Sequence, residues 1–135
     1  MDVHNPKVRS FNMSQIKSKG TKPELIVRKL CFSKGLRYRL NKKIFNISAD
    51  LIFPKYKSVI FVHGCFWHSH DCKYGRVKPK SNAEFWNTKR GDTCIRDKRN
   101  QTKLIKNNWK YLIIWECELK NLENVSIKVN SFFDL

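Results

Sequence analysis

The run VIFVHGCFWHSHDC, residues 59–72, joins an apolar segment to a loop that is dense in metal-binding and aromatic side chains. Its first four residues are β-branched or aromatic, which is typical of a buried strand, and Gly64 marks the end of that strand. Two cysteines, three histidines and two adjacent aromatic residues then occupy residues 63–72. An ordinary soluble domain has no need for such a cluster, so the sequence predicts a functional site at the end of a buried strand.

The segments around this run predict a β-sheet. Residues 44–53 and Ser58–His63 are predicted to be strands joined by a turn at residues 54–57, which makes them an antiparallel pair. The alternating residues 36–40 predict a half-buried strand, and the strongly apolar residues 109–115 predict another. Several strands separated by helical segments indicate a mixed central sheet.

Helix-start signals occur three times. Thr21-Lys22-Pro23-Glu24 has the form of a capping box and predicts a helix that ends at Gly35. Ser81-Asn82-Ala83-Glu84 predicts a second, short helix, and Asp92 is expected to cap a longer one that reaches about Lys106. The last twenty residues predict one or two final helices. The fold class is therefore α/β, with helices on the faces of the mixed sheet.

The charge of the chain is far from balanced. Its 135 residues, enough for one domain (1–135), contain 28 lysines and arginines against 11 acidic residues, a net charge of +17. This excess points to a polyanionic partner, most simply nucleic acid, whose counterions are released when basic side chains replace them. Residues 1–20 are predicted to be a basic arm that contacts this partner. The alternative is a basic protein without a polyanionic partner.

The sequence also indicates the cell compartment. No N-terminal signal peptide and no run of about 18 apolar residues is present, so we expect a cytoplasmic protein with no membrane contact. Five cysteines are an odd count, and most of them lie near histidines, which favours metal binding in a reducing compartment over disulfides.

The cysteine and histidine spacing favours a zinc site. Cys65, His70 and Cys72 lie in one tight loop, and Cys117, just after the last predicted strand, is the expected fourth ligand. A closed tetrahedron of this kind is structural, because no position remains for a substrate water. Spacing alone leaves His68 or Cys94 as possible members of the set, and it also leaves open that these groups bind no metal.

Four side chains and one backbone group are candidates for catalysis. The predicted hairpin returns Val62 and His63 to the neighbourhood of Asp50, an arrangement that can hold Mg²⁺ next to a phosphate. His63 and His68 are of a type that exchanges protons near neutral pH. The position of Glu24 favours a capping role for the helix, and a second carboxylate at the site is the alternative.

Aromatic and basic side chains predict how nucleic acid is held. Phe66 and Trp67 lie in a loop that should be near the surface, and with Trp86 they are suited to unstacking a base step, although core packing is the alternative. Arg96, Lys98 and Arg99, on the helix after Asp92, are expected to bind phosphates, unless they form an ordinary solvated helix face.

These residues together resemble the very short patch repair (Vsr) DNA mismatch endonucleases, over nearly the whole chain. The resemblance rests on motifs in the same order as in that family: Asp2-Val3-His4, Arg9-Ser10-Phe11-Asn12-Met13, His63-Gly64-Cys65-Phe66-Trp67-His68, Glu84-Phe85-Trp86, Arg96-Asp97-Lys98-Arg99 and Trp115-Glu116-Cys117.

The resemblance implies a restriction-endonuclease-like fold and a Mg²⁺-dependent enzyme. It implies that one strand of duplex DNA is nicked 5′ of the thymine in a T:G mismatch that arises by deamination of 5-methylcytosine. Asp50 and the Val62 carbonyl would bind Mg²⁺, and His68 would activate water while His63 supports the scissile phosphate. Glu24 would replace the carboxylate that related nucleases carry in a Glu-x-Lys triplet, where this chain has Phe61-Val62-His63.

The same resemblance assigns the remaining sites. The zinc ligands would be Cys65, His70, Cys72 and Cys117. Phe66, Trp67 and Trp86 would enter the DNA beside the mismatch from one groove, and Met13 from the other. The enzyme is expected to act as a monomer at the bacterial nucleoid, with mismatch-repair proteins and a repair polymerase as partners by family analogy. The alternatives are a sequence-specific restriction-type nuclease and a zinc-stabilised DNA-binding module without catalysis.

Overall fold

The computed structural model describes residues 21–78 and 81–135. The predicted basic arm, including Met13, lies outside the described residues. None of the helices in the described part of the chain is both long and apolar enough to cross a bilayer.

The centre of the fold is a three-stranded mixed sheet. Strand β3 (Leu51–Phe53) pairs antiparallel with β4 (Ser58–His63), and β4 pairs in parallel with β5 (Lys110–Trp115). A 3₁₀ turn, Pro54–Tyr56, joins β3 to β4 as the sequence predicted. The carboxyl ends of β4 and β5 therefore meet at one edge of the sheet, where the register pairs His63 with Trp115.

The strand predicted for residues 44–53 is wrong as a single element. Its first half forms a separate two-stranded hairpin, β1 (Lys43–Ile44) and β2 (Ile47–Ser48), and only β3 joins the main sheet. The break follows from the turn at residues 45–46, where both backbone φ angles are positive. The strand predicted for residues 36–40 is reduced to one bridge between Arg39 and Ile52.

Three helices complete the described fold: α1 (Lys22–Ser33), α2 (Ala83–Lys106) and α3 (Leu122–Phe133), with a 3₁₀ segment at Glu116–Lys120 before α3. The two helices predicted between residues 81 and 106 are one, and Asp92 lies inside it rather than at its start. Gly91 lies inside this helix as well, at a cost of only about 1 kcal/mol for a single interior glycine. The capping box predicted at residues 81–84 is also absent, since Asn82 is left-handed and makes no side-chain cap.

Apolar residues pack on both faces of the sheet. Alternate residues of β3 and β4 divide between the two faces, as the two-residue period of a strand requires. The first core includes α1 and α3, with Val27, Cys31, Leu36, Leu51, Phe53, Ile60, Ile114, Val125, Val129 and Phe133. The second includes α2 and the hairpin, with Ile47, Ile52, Val59, Phe61 and Leu104. This three-layer α/β arrangement explains the unbroken apolar run of β4, which is covered on both sides.

Candidate active site and metal cluster

The antiparallel pairing of β3 and β4 brings Asp50 next to Val62. The register places Leu51 opposite Ile60, so Asp50, one residue before Leu51, lies opposite the carboxyl end of β4. The backbone N–H of Val62 donates a hydrogen bond of 2.7 Å to Oδ2 of Asp50. The convergence that the sequence predicted from the hairpin is therefore present in the structure.

All five groups proposed for catalysis line one cleft of about 710 Å³. They come from three separate elements: α1, the β3–β4 hairpin and the loop after β4. The residues in question are Glu24, Asp50, Val62, His63 and His68. Spacing along the sequence could not predict this convergence, because residues 24 and 68 come together only when α1 packs near the end of the sheet.

Glu24 is buried and turned toward this cleft. Its carboxylate accepts a hydrogen bond of 2.7 Å from Arg28, one turn further along α1. Thr21 is the N-cap residue of α1 but makes no side-chain cap bond, so the predicted capping box does not form. The capping explanation for Glu24 therefore does not hold, and its position is that of a second carboxylate in the cleft.

The environment of Asp50 disfavours its charged form. Burial raises its pKa to about 6, and the nearby charge of Glu24 acts in the same direction. The hydrogen bond from Val62 and the charges of His68 and Arg28 lower the pKa but do not cancel the burial. A buried carboxylate whose charged form is disfavoured in this way is suited to binding a cation, because the cation stabilises the negative charge.

His63 and His68 form a stacked pair. Their ring centroids are 3.6 Å apart and the rings are almost parallel. His63 is buried, and burial together with the neighbouring His68 lowers its pKa to about 4. Its Nδ1 is buried without a hydrogen-bond partner among the described residues. Burial therefore favours the neutral imidazole of His63 near neutral pH.

His68 has an acidic partner that the sequence reasoning missed. Its Nδ1 lies 2.5 Å from Oδ2 of Asp97, on α2. A carboxylate on one ring nitrogen fixes the tautomer and leaves the other nitrogen for a substrate or water. Asp97 is the one acidic residue within the basic run Arg96-Asp97-Lys98-Arg99. This exception was the signal in the sequence from which a pairing of Asp97 with a histidine could have been predicted.

The phosphate-binding residues predicted on α2 are only partly on the cleft. Arg96 and Arg99 line it, whereas Lys98 is exposed on another side of the helix. Lys103 lies one turn beyond Arg99, on the same helix face as Arg96, and also lines the cleft. Sequence reasoning missed this residue, although its spacing from Arg96 is that of two helical turns.

The second cluster contains three cysteines and one histidine. Their ligand atoms all lie within 4.8 Å of one another, in the set Cys65, His70, Cys72 and Cys117. The Sγ of Cys117 lies 3.6 Å from Nδ1 of His70. Zn–S and Zn–N bonds of ordinary length at a tetrahedral angle separate the two ligand atoms by about 3.6 Å, so this set fits a zinc tetrahedron.

The loop is shaped to present these ligands. The N–H of Gly75 donates to Sγ of Cys72 at 3.4 Å. Although burial opposes it, this bond and neighbouring donors lower the pKa of the Cys72 thiol to about 7, toward the thiolate that binds metal. A Cβ at Gly75 would clash with the carbonyl oxygen of His70, so only glycine fits here.

The two remaining cysteines, Cys31 and Cys94, are not members of this cluster. Cys31 is buried in the first core, where burial raises its pKa to about 11. The Sγ of Cys94 lies 3.6 Å from the backbone carbonyl of His68. His68 faces Asp97 and belongs to the cleft rather than to the cysteine cluster.

Trp115 separates the cysteine cluster from the histidine pair. Its ring stacks on His70, with centroids 4.0 Å apart, and meets His63 edge-on at 5.2 Å. One rigid side chain therefore packs against both sites.

The three aromatic residues predicted to enter DNA lie together. Trp67 and Trp86 have ring centroids 5.3 Å apart, and Phe66 contacts both of them. Trp67 keeps 43% of its surface exposed, which core packing does not explain. Arg90 lies over the Phe66 ring and donates to the Phe66 carbonyl at 2.8 Å, so α2 holds the loop in place.

The mixed sheet, the cleft at the strand ends and the basic helix are those of a nuclease that acts on DNA. The catalytic domain of the homing endonuclease I-Bth0305I has the same fold, with a TM-score of 0.59 at 19% identity over 84% of this chain and 94% of that domain. A family model described as DNA mismatch endonuclease Vsr matches residues 1–74.

Individual relatives agree. The type II nicking enzyme V.NmeAIP of Neisseria meningitidis is 48% identical over 120 residues, which cover 89% of this chain and 85% of the relative. The DNA mismatch endonuclease Vsr of Escherichia coli is 37% identical over 125 residues, covering 93% of this chain and 80% of the relative. The chain belongs to the Vsr family and is a DNA endonuclease.

Proposed function

We propose that this endonuclease nicks one strand of duplex DNA 5′ of the thymine in a T:G mismatch left by deamination of 5-methylcytosine. The observation that carries the proposal is the single cleft lined by Asp50, Glu24, His63 and His68, together with the aromatic cluster of Phe66, Trp67 and Trp86. Relatives named as nicking enzymes favour a cut in one strand.

The oxygen donors at the cleft suit Mg²⁺. Asp50 and the carbonyl of Val62 would hold it, with Glu24 as the second carboxylate nearby, and its chemistry would be Lewis-acid stabilisation of the phosphate charge. The raised pKa of Asp50 supports this assignment, because a cation relieves the cost of a buried carboxylate.

The chain supplies the proton transfers. His68 accepts a proton from the attacking water, and Asp97 holds its ring and stabilises the resulting imidazolium. His63 stays neutral beneath His68 and can donate a hydrogen bond to the scissile phosphate without carrying charge. The product would carry a 5′-phosphate at the nick by family analogy.

The cluster of Cys65, His70, Cys72 and Cys117 would bind one structural Zn²⁺. Four protein ligands close the tetrahedron and leave no position for a reacting water. Elemental analysis should find about one zinc per chain, and less than about half an equivalent would remove this assignment.

Mismatch preference would come from Phe66, Trp67 and Trp86, with Met13 from the arm on the opposite groove. A wobble pair costs less to deform than a matched pair, so the energy of inserting aromatic rings is recovered selectively at a mismatch. Arg96 and Arg99 would bind the phosphates near the cut, and Lys98 would contact the duplex beyond the cleft.

The decisive experiment is a nicking assay on a panel of duplexes that differ only in the central pair. A nick 5′ of thymine in T:G and a rate at least tenfold lower on the T:A duplex are expected. Cleavage of both strands of matched DNA would favour the restriction-type alternative. Tight binding without any nick in the presence of Mg²⁺ would favour the inactive binding module.

The setting of the reaction is part of the same proposal. The enzyme would act as a monomer at the nucleoid in the bacterial cytoplasm, and mismatch-repair proteins and a repair polymerase would complete the repair. The monomer is testable by light scattering of the enzyme bound to a duplex with one mismatch, where one chain per duplex is expected.

A further inference from the structure

The cleft has a second basic wall that faces α2. The β1–β2 hairpin and the residues just before it contribute Asn41, Lys42, Lys43 and Asn46 to the same cleft as the catalytic candidates. None of these four residues has a role in the mechanism described above. Both lysines are exposed and have room to contact a ligand.

Charge is arranged by depth in this cleft. The three lining carboxylates belong to Glu24, Asp50 and Asp97, all of them largely buried. The lining cations are exposed and come from the hairpin and from α2: Lys42, Lys43, Arg96, Arg99 and Lys103. Positive side chains therefore stand on both sides of an acidic floor, which is an arrangement for a phosphodiester backbone that runs between them.

The β1–β2 hairpin is packed against the second core. Phe45 packs edge-on against Trp109, with ring centroids 6.0 Å apart, and Ile47 is buried in the second core. A wall anchored in this way can hold a strand in one position, which a mobile loop could not do.

The tip of the hairpin has an unfavourable backbone conformation. Its two turn residues, Phe45 and Asn46, have φ angles of 51° and 63°, and Asn41 before the hairpin has 57°. A two-residue turn of type I′ needs positive φ at both positions, which asparagine adopts readily and a bulky residue such as phenylalanine rarely does. Phenylalanine at this position secures the tip through Trp109, and Asn46 is left to line the cleft.

We propose that this hairpin is the second wall of the DNA groove, and that Lys42 and Lys43 bind phosphates of the strand that is cut. The strand passes between the hairpin and the Arg96–Lys103 face of α2, with its scissile phosphate over Asp50. The inference rests on the proposed function in one respect, namely that the cleft holds the scissile phosphate.

The test compares two double variants that lose the same charge. Lys42→Gln/Lys43→Gln removes the hairpin lysines, and Lys29→Gln/Lys55→Gln removes two exposed lysines outside the cleft. Duplex binding is measured without added Mg²⁺ over a range of salt concentrations, on mismatched and on matched DNA. Thermal unfolding midpoints of both variants should equal that of the parent, because all four side chains are exposed.

The salt dependence gives the answer. Each lysine that binds a phosphate adds about one to the slope of log K against log salt, so the hairpin variant should lose about two and the control variant should lose none. Ethylation interference should locate the lost contacts at phosphates next to the nick, on the cut strand only. An unchanged slope would overturn the inference.

Nicking of the T:G duplex by the parent is scored separately. If the parent nicks T:G and the hairpin variant keeps the parental slope, the proposal that the hairpin binds phosphates is wrong and the proposed function stands. If the parent shows no T:G preference and the hairpin variant still loses about two from the slope, the proposed function is wrong and the second wall stands.

Discussion

The end of β4 and the loop after it contribute residues to two clusters of side chains. One cluster is closed by four protein ligands, and the other opens into a cleft. Cys65, His70 and Cys72 turn toward Cys117 and form a closed set of soft donors. His63 and His68, from the same fourteen residues, turn the other way into a cleft with carboxylates and space for a ligand. The closed set can only hold the loop, whereas the open set retains the groups that a reaction needs. The difference predicts opposite effects of mutation on stability in the two clusters.

The largest effect on the molecule is expected from Cys117→Ser in the closed cluster. Losing one of four ligands should abolish stoichiometric metal binding and lower the free energy of unfolding by roughly 5 kcal/mol or more, a part of the roughly 10–16 kcal/mol that structural zinc supplies. Cys94→Ser is the matched control, because its thiol lies 3.6 Å from the His68 carbonyl and is not a member of the cluster. Elemental analysis and thermal unfolding measure both effects. Parental metal content in Cys117→Ser would contradict the assignment.

The open cluster should respond to Asp50→Asn in the opposite direction. Nicking should fall about 10³-fold, since the several kcal/mol of Lewis-acid stabilisation are lost. The unfolding free energy without added Mg²⁺ should rise at pH 7.5 by on the order of 3 kcal/mol, because a buried charge is removed.

The pH dependence of this gain has a definite sign. The pKa of Asp50 is about 6 in the fold and 3.8 in the unfolded chain, so the parent loses stability as the pH rises through this interval. The gain from Asp50→Asn should therefore be only about half as large at pH 5 as at pH 7.5. Asp92→Asn, an exposed site on α2, should show no such pH dependence. Denaturant unfolding at the two pH values is the measurement, and a gain that does not grow with pH would contradict the burial argument.

A smaller loss of activity is expected along the His68–Asp97 pair. His68→Ala should slow nicking by roughly 10²–10³-fold as a lost general base. Asp97→Asn should slow it by roughly 10–10²-fold, because the ring orientation and the charge that stabilises the imidazolium are lost while the base itself remains. The double variant should be no slower than His68→Ala alone, since both changes affect one group. Single-turnover nicking measures all three. Parental rates in His68→Ala would remove His68 as the base.

The smallest effect is expected from Gly75→Ala. The new methyl group would meet the His70 carbonyl oxygen, so the metal loop must shift, and we expect a loss of roughly 1–3 kcal/mol in unfolding free energy. Gly91→Ala is the matched control, because the space around it is open and it lies inside α2, where alanine should add about 0.5–1 kcal/mol. Chemical denaturation distinguishes the two signs. Equal effects of the two substitutions would show that the Gly75 contact is unimportant.

Much of the fold was readable from local pattern. The apolar run 58–63, the turn before it and the helix at 21–35 all follow from spacing and turn chemistry. The failures share a cause: the strand at 44–53 and the helix break near 91 depended on weak local signals. Tertiary packing overrides such signals at a cost of about 1 kcal/mol.

By itself, the sequence determined which chemistries are available: soft ligands at metal spacing, carboxylates, histidines, aromatics and an excess of positive charge. Only the tertiary structure decided that Asp97 pairs with His68 and that Glu24 lies in the cleft with Asp50 instead of capping α1. The tertiary structure also buries His63, which lowers the pKa of its imidazole. Spacing along a chain specifies neighbours on one helix or strand. Contacts between residues of different helices and strands depend on strand register and on how the layers pack. The burial that shifts a pKa depends on the same packing.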